Sequence, residues 1–341
     1  MTTPSADELA ALEAWGWDER LATHWVDAPE GTFPARVVRA DRGRLVLQAG
    51  SGTFTATANA AGWLDGEELT PTTGDWVAVA PPETGDLCTI AGVLPRFSEI
   101  SRLDARGSRV QVLAANVDRV LVVHGLDRPL HDGRLERMLV LAWEGGAEPV
   151  VVATKTDLVN DPTPMIEDLA RLAPGVEVFA VSATAGRGVD AVRELLQPHR
   201  TAVLLGESGA GKSTLANRLV GEDVQATGEV RAGDAKGRHT TVSRDLLLVP
   251  TGGVLIDTPG LRSLGVWEAG AGLARAFADV EELASGCRFR DCRHEHEPGC
   301  AVKAAVEAGT LDPERVARYL RLRREVQEAE ARRVGGLRAR R

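Results

Sequence analysis

The sequence predicts an α/β protein. A doubly wound parallel sheet is preceded by a small β-barrel and followed by a helical segment carrying a metal-ligand cluster. Three observations carry this prediction. Between about Asn116 and Leu264, the runs RVLVVHGL, PVVVATKTDL, VEVFAVSA, TAVLLGESG and GVLIDTPG each end in polar or glycine-rich residues. Such nearly continuous apolar runs fit parallel strands buried on both faces, with ligand-binding loops at their C-terminal ends. Between about Pro34 and Ile100, ARVVRADRGRLVLQAG, GTFTATANAA, GDWVAVAPP and CTIAGVLP are short strand-like runs separated by turn signals, the pattern of a small barrel of the OB type. Finally, three of the four cysteines, Cys287, Cys292 and Cys300, crowd into one short segment.

The 341 residues suit two or three domains at roughly 100–200 residues each. The expected division is an N-terminal extension at 1–32, the barrel at 33–100, the α/β domain at 101–270 and the metal-binding helical domain with its basic tail at 271–341. In the extension, Leu9, Leu12 and Trp15 share one face of a short amphipathic helix followed by a linker. HDGRLERMLVLAWEGG and GVDAVRELLQ read as helices between the parallel strands. Apolar residues make up 43% and charged residues 26%, which excludes wholesale disorder. No run of about 18 apolar residues exists, and the acidic N-terminus lacks a basic-then-apolar signal, so a cytoplasmic protein with no membrane association is expected. Nothing in the sequence suggests a dimer interface, and a monomer is expected. In a reducing cytosol, clustered cysteines favour metal over disulfide; Cys88 is expected in the barrel core. The net charge of −9 argues against a general nucleic-acid binder, yet residues 313–341 hold ten Arg against four Glu.

The most specific signal is Gly206-Glu207-Ser208-Gly209-Ala210-Gly211-Lys212-Ser213-Thr214, which matches G-x-x-x-x-G-K-[ST] between an apolar strand and a helix. Its backbone N–H groups cradle phosphates, Lys212 reaches the β- and γ-phosphates, and Ser213 ligates Mg²⁺. Asp257-Thr258-Pro259-Gly260 ends the strand GGVLI; Asp257 can hold Mg²⁺ through water and the Gly260 N–H can meet the γ-phosphate. Between the two lies Gly237-Arg238-His239-Thr240-Thr241, where Thr240 or Thr241 can complete the Mg²⁺ shell.

Thr154-Lys155-Thr156-Asp157 resembles the guanine-specific N/T-K-x-D motif. The Asp157 carboxylate can accept from the guanine ring N–H and its exocyclic amine, a pair that adenine lacks, while the Lys155 stem covers the base. Thr154 stands where Asn is usual. It keeps a hydroxyl but loses the reach of an amide. Ser182-Ala183 matches the loop that supports the guanine carbonyl. An ATP-using enzyme would leave these two motifs unexplained. Both base-reading motifs precede the phosphate loop in the chain, so the nucleotide domain is circularly permuted, and the strand ending at Asp257 leads straight into the C-terminal region. Cys287-x₄-Cys292-x-His294-x₅-Cys300 is a closed Cys₃His set suited to one structural zinc, with His296 as an alternative ligand.

Together with Ile100-Ser101-Arg102, Ala114-Ala115-Asn116-Val117-Asp118 and Asp257-Thr258-Pro259-Gly260-Leu261-Arg262, these motifs resemble the permuted GTPase family that acts on the small ribosomal subunit during its maturation. The resemblance spans about Pro34 to Tyr319. It implies an OB barrel, a permuted GTPase domain and a C-terminal zinc domain. It also implies GTP hydrolysis stimulated by the small subunit, coupled to release of the enzyme after a maturity check, with the subunit and its rRNA as partners; the alternative is a GTP-dependent RNA- and ribosome-binding scaffold with negligible catalysis. The position that carries a water-orienting Gln in many small GTPases is Leu261, a replacement the family shares. His239 is the candidate water-positioning group, with Arg238 and Arg262 as candidate charge stabilisers. The Arg-rich tail and the barrel are the expected RNA contacts.

Overall fold

The structure, a computed structural model, describes residues 6–41, 43–57, 69–82, 85–103, 110–221, 245–257 and 270–338. The barrel is built from β1 (Phe33–Asp41), β2 (Arg44–Ala49), β3 (Gly52–Thr57), β4 (Trp76–Ala80) and β5 (Leu87–Val93). The strands run in the order β1-β2-β3-β5-β4, with β4 pairing back on β1 to close the ring. Only β3 and β5 pair in parallel. Alternation places Leu45, Leu47 and Ala49 of β2 inward, where they meet Val37, Val77, Val79 and Ile90. Cys88 lies in this core, as expected.

The N-terminal extension forms two helices rather than one followed by a linker: α1 (Ala6–Glu13) and α2 (Glu19–Trp25). The Asp18 carboxylate restarts the helix by accepting from the Arg20 and Leu21 amides at 3.0 and 3.3 Å, an N-cap. Leu12, Trp17 and Leu21 are buried against Trp76 and Leu94, so the extension covers one side of the barrel. A two-stranded antiparallel ribbon, β6 (Glu99–Leu103) with β7 (Val110–Ala115), leads out of the barrel.

The second sheet holds β8 (Arg119–Gly125), β9 (Glu148–Thr154), β10 (Val178–Ala180), β11 (Thr201–Gly206), β12 (Asp245–Leu248) and β13 (Val254–Asp257). Its order is β10-β9-β8-β11-β13-β12, parallel except for β12. Period-two alternation sorts each strand onto both faces. Val120, Val122, Val203 and Leu205 enter one core, and Leu121, Val123, Ala202 and Leu204 the other. Helices α3 (Asp132–Glu144) and α4 (Thr163–Leu172) cover the first face, and α5 (Val189–Glu194) and α6 (Lys212–Val220) the second. This double burial is why the strands read as unbroken apolar runs. Strand order reverses between β8 and β11, which opens a crevice at their C-terminal ends.

The C-terminal helices α7 (Gly270–Ala276), α8 (Ala278–Ala284), α9 (Ala301–Glu307) and α10 (Pro313–Arg338) share the first core through Leu273, Phe277, Val302, Tyr319 and Leu322. Glu136 of α3, fully buried, pairs with Arg315 at 3.1 Å and Arg318 at 3.0 Å. Asp279 takes the other edge of Arg315. Two of the ten tail arginines thus face inward as structural ion pairs, and the basic helix is anchored at its start.

Candidate nucleotide site and metal centre

Every described loop of the nucleotide motifs emerges at the C-terminal edge of the parallel sheet. Gly206 ends β11 with φ +153°, and a Cβ there would meet the Val123 carbonyl at 2.3 Å; only glycine fits against β8. The loop then turns into α6, whose N-terminus favours phosphate. Lys212 folds back to donate to the Gly206 and Glu207 carbonyls at 2.8 and 2.6 Å. Arg128, which sequence reasoning missed, donates to the Ser208 and Gly209 carbonyls at 2.7 and 2.9 Å. The Thr154 hydroxyl donates to the Ala210 carbonyl. Each of the five carbonyls from Gly206 to Ala210 therefore accepts from a side chain. Ser213 and Thr214 follow on the first turn of α6. Glu207 pairs with Arg134 of α3, and hydrogen bonding from that guanidinium leads the effects that hold its carboxyl below the usual range.

The base-reading loop lies beside the phosphate loop. Thr154 is fully buried and sits between the Ala210 and His124 carbonyls. Its hydroxyl joins the two loops, so the reach that an amide would supply is not needed for this contact. Lys155 adopts φ +62° and pairs with Asp127 at 2.8 Å. Asp157 is exposed, free to meet a base edge. Hydrogen bonding from the Ser182 hydroxyl, its own amide and Thr184 holds its carboxyl below the usual carboxylate range. Ser182 is buried and caps the Ala185 amide at 3.2 Å. The Ala183 and Thr184 carbonyls both accept from Arg218 of α6 at 2.9 Å, so the helix that follows the phosphate loop also grips the base-supporting loop.

His239, Thr240, Thr241, Gly260, Arg238, Leu261 and Arg262 lie outside the described residues. Asp257 is described as the last residue of β13, without its side chain.

In the C-terminal region the ligand atoms of Cys287, Cys292, His294 and Cys300 all lie within 4.8 Å of one another. The spacings are 3.9 Å for Cys287–Cys300, 3.6 Å for Cys287 to His294 Nδ1 and 3.4 Å for His294 Nδ1 to Cys300. A tetrahedron with ordinary Zn–S and Zn–N bonds has edges of about 3.8 and about 3.6 Å, so the donor set fits zinc. His294 reaches inward from a left-handed backbone, φ +63°, whereas His296 is exposed and outside the cluster.

Comparison with known proteins agrees with this architecture. The family model described as RsgA GTPase matches residues 93–267. A small ribosomal subunit biogenesis GTPase RsgA of Streptomyces coelicolor is 45% identical, covering 97% of this chain and 90% of the relative. The protein of the same name from Streptomyces avermitilis is 46% identical, covering 96% and 89%. The crystal structure of YjeQ from Thermotoga maritima superposes with a TM-score of 0.65 at 26% identity, covering 87% of this chain and 99% of that one. The structure of YloQ, titled a circularly permuted GTPase, shares the fold at TM-score 0.63 and 24% identity, covering 88% and 96%. With its permuted nucleotide domain, closed barrel and Cys₃His cluster, this chain belongs to the RsgA GTPase family.

Proposed function

We propose that this protein binds the small ribosomal subunit and hydrolyses GTP to GDP and phosphate late in subunit maturation, as an assembly checkpoint and release switch. The observation that carries this reading is the convergence of the loops at 154–157, 182–183 and 206–214 on one sheet edge in permuted order. The relatives named for small-subunit biogenesis supply the partner. The protein acts as a cytoplasmic monomer, and its four segments, 1–32, 33–100, 101–270 and 271–341, divide the work. The barrel and the exposed face of the Arg-rich tail contact rRNA.

Asp157 reads the guanine edge, Lys155 covers the base, and Ser182 and Ala183 shape the pocket. Gly206, Glu207, Ser208, Gly209, Ala210, Gly211 and Lys212 hold the phosphates, with Thr214 beside them. Ser213 and Asp257 serve the Mg²⁺, together with Thr240 or Thr241. The Gly260 N–H faces the γ-phosphate. Mg²⁺ held by these residues would supply charge neutralisation during phosphoryl transfer. Water attacks the γ-phosphorus and the bond to the bridging oxygen breaks. His239 positions that water in place of the absent Gln. Zinc held by Cys287, Cys292, His294 and Cys300 is structural, because four protein ligands leave no open position.

The test is GTP turnover by the purified protein alone, with small subunits and with large subunits. Slow turnover alone, strongly stimulated by small subunits only, is the expected result. Stimulation by large subunits instead overturns the partner assignment, and bound GTP without stimulated turnover overturns the hydrolytic switch.

A further inference from the structure

We propose that Arg128 is a positioning residue that clasps the phosphate loop and, through Asp127, couples it to the base-covering Lys155. The two guanidinium nitrogens Nη1 and Nη2 of Arg128 reach the successive carbonyls of Ser208 and Gly209 at 2.7 and 2.9 Å. The same guanidinium contacts Asp127, with Nε to Oδ1 at 3.2 Å and Nη2 to Oδ2 at 3.4 Å. Oδ2 of Asp127 also accepts from Lys155 Nζ at 2.8 Å. The chain of contacts runs from the loop that covers the base to the loop that holds the phosphates, entirely through residues that follow β8 and β9.

The physical consequence follows from peptide geometry. In a trans peptide the carbonyl and the next N–H point to opposite sides. Anchoring the Ser208 carbonyl on Arg128 turns the Gly209 N–H away from Arg128. The Thr154 bond to the Ala210 carbonyl does the same for the Gly211 N–H. These donors are then set before nucleotide arrives, and no ordering cost falls on binding at those planes. The clasp depends on glycine at 209, whose φ is +75° and whose missing Cβ would stand 3.0 Å from Arg128 Nη2. Lysine replaces Arg128 only in part, because a single nitrogen cannot hold the Ser208 and Gly209 carbonyls and the Asp127 carboxylate together as the planar guanidinium does.

This inference rests on the guanine-nucleotide reading above. The test is stopped-flow release of mant-GDP and mant-GTP from the full chain, comparing wild type with Arg128→Ala, Arg128→Lys and Asp127→Asn. Both release rates should rise about tenfold in Arg128→Ala, the loss expected for about one net hydrogen bond, since water takes the place of these two exposed contacts in part. Arg128→Lys should recover less than half of the effect. Asp127→Asn should raise both rates less than Arg128→Ala, and the double variant Asp127→Asn/Arg128→Ala should be no faster than Arg128→Ala alone. Circular dichroism of each variant checks that it folds. Wild-type binding with release rates in Arg128→Ala within twofold overturns the clasp alone, as does full recovery by lysine. Additive rates in the double variant overturn the coupling through Asp127. Absence of guanine-nucleotide binding by the wild type overturns both the clasp and the function on which it rests.

Discussion

Thr154 shows how a single departure from a motif is absorbed. The hydroxyl is shorter than the usual amide, yet it lies between the Ala210 and His124 carbonyls and holds the base loop to the phosphate loop. Thr154→Val keeps the shape and orphans the buried Ala210 carbonyl. An unsatisfied buried acceptor costs about 1–3 kcal/mol, and urea denaturation should show a loss of that size together with weaker GDP binding. Asp157 is the complementary case, an exposed carboxylate whose value lies in its ionised form. Asp157→Asn presents an N–H donor where, in the proposed role, the carboxylate accepts from guanine. GDP affinity should fall by about 100-fold or more, while xanthosine diphosphate, which carries a carbonyl at that edge, gains; competition binding measures both.

At the level of elements, the docking of α10 on α3 rests on buried charge. Glu136 is enclosed with Arg315 and Arg318, and Arg315 also stacks over Phe277 at 4.6 Å. Removing one partner of a buried ion pair leaves uncompensated charge and costs about 3–5 kcal/mol. Glu136→Gln should therefore lower the stability of the whole chain by that order, since α3 and α10 share one core. The Cys₃His loop is a separate case, because its four ligands lie between α8 and α9. Purified protein should contain one zinc per chain, and Cys292→Ser should lower that content. Chelation should release the metal and raise amide exchange in the 287–300 loop, while GDP binding, which uses none of these residues, persists.

Across the whole molecule, the barrel and the nucleotide sheet meet through Arg36 of β1. Its side chain is 1% exposed, and burial lowers its pKa to about 10. It donates to the Trp15, Gly74 and Asn116 carbonyls and to the Thr201 hydroxyl. These partners belong to the extension, the barrel, the connection between them and the sheet, and the start of the strand that ends at the phosphate loop. Asp118 closes the same junction by accepting from the Thr201 amide and pairing with Arg20 and Arg200. The single register pair Arg39–Asp245 extends the contact to β12. Arg36→Met orphans several carbonyls at once. It should cost about 2–4 kcal/mol and split one calorimetric unfolding transition into two, one of them protected by GDP.

Much of this was legible from local pattern. Apolar runs ending in glycine-rich turns mark β8, β9, β11 and β13, and the order of the motifs along the chain is itself the permutation. The Cys₃His spacing marks the metal centre because its ligands are close in sequence. The inner and outer faces of the barrel follow from alternation in β2. Other features had no local signal. Arg128, Arg218 and Arg36 resemble any of the many arginines of this chain until folding brings each beside carbonyls distant in sequence. The tail arginines read alike, although Arg315 and Arg318 are consumed by Glu136 while their neighbours along the helix are not. Asn116 and Asp118 carried only a resemblance; their place at the junction of barrel and sheet came from tertiary contact. Sequence by itself determined the barrel runs, the parallel strands, the motif loops and the clustered Cys and His residues, because those depend on periodicity and short-range spacing; the second N-terminal helix, the β6–β7 ribbon and the antiparallel strand β12 carried no such signal. Tertiary structure decided which charges are spent holding the parts together, because a guanidinium has the same local pattern whether it meets water, a carboxylate or a buried carbonyl.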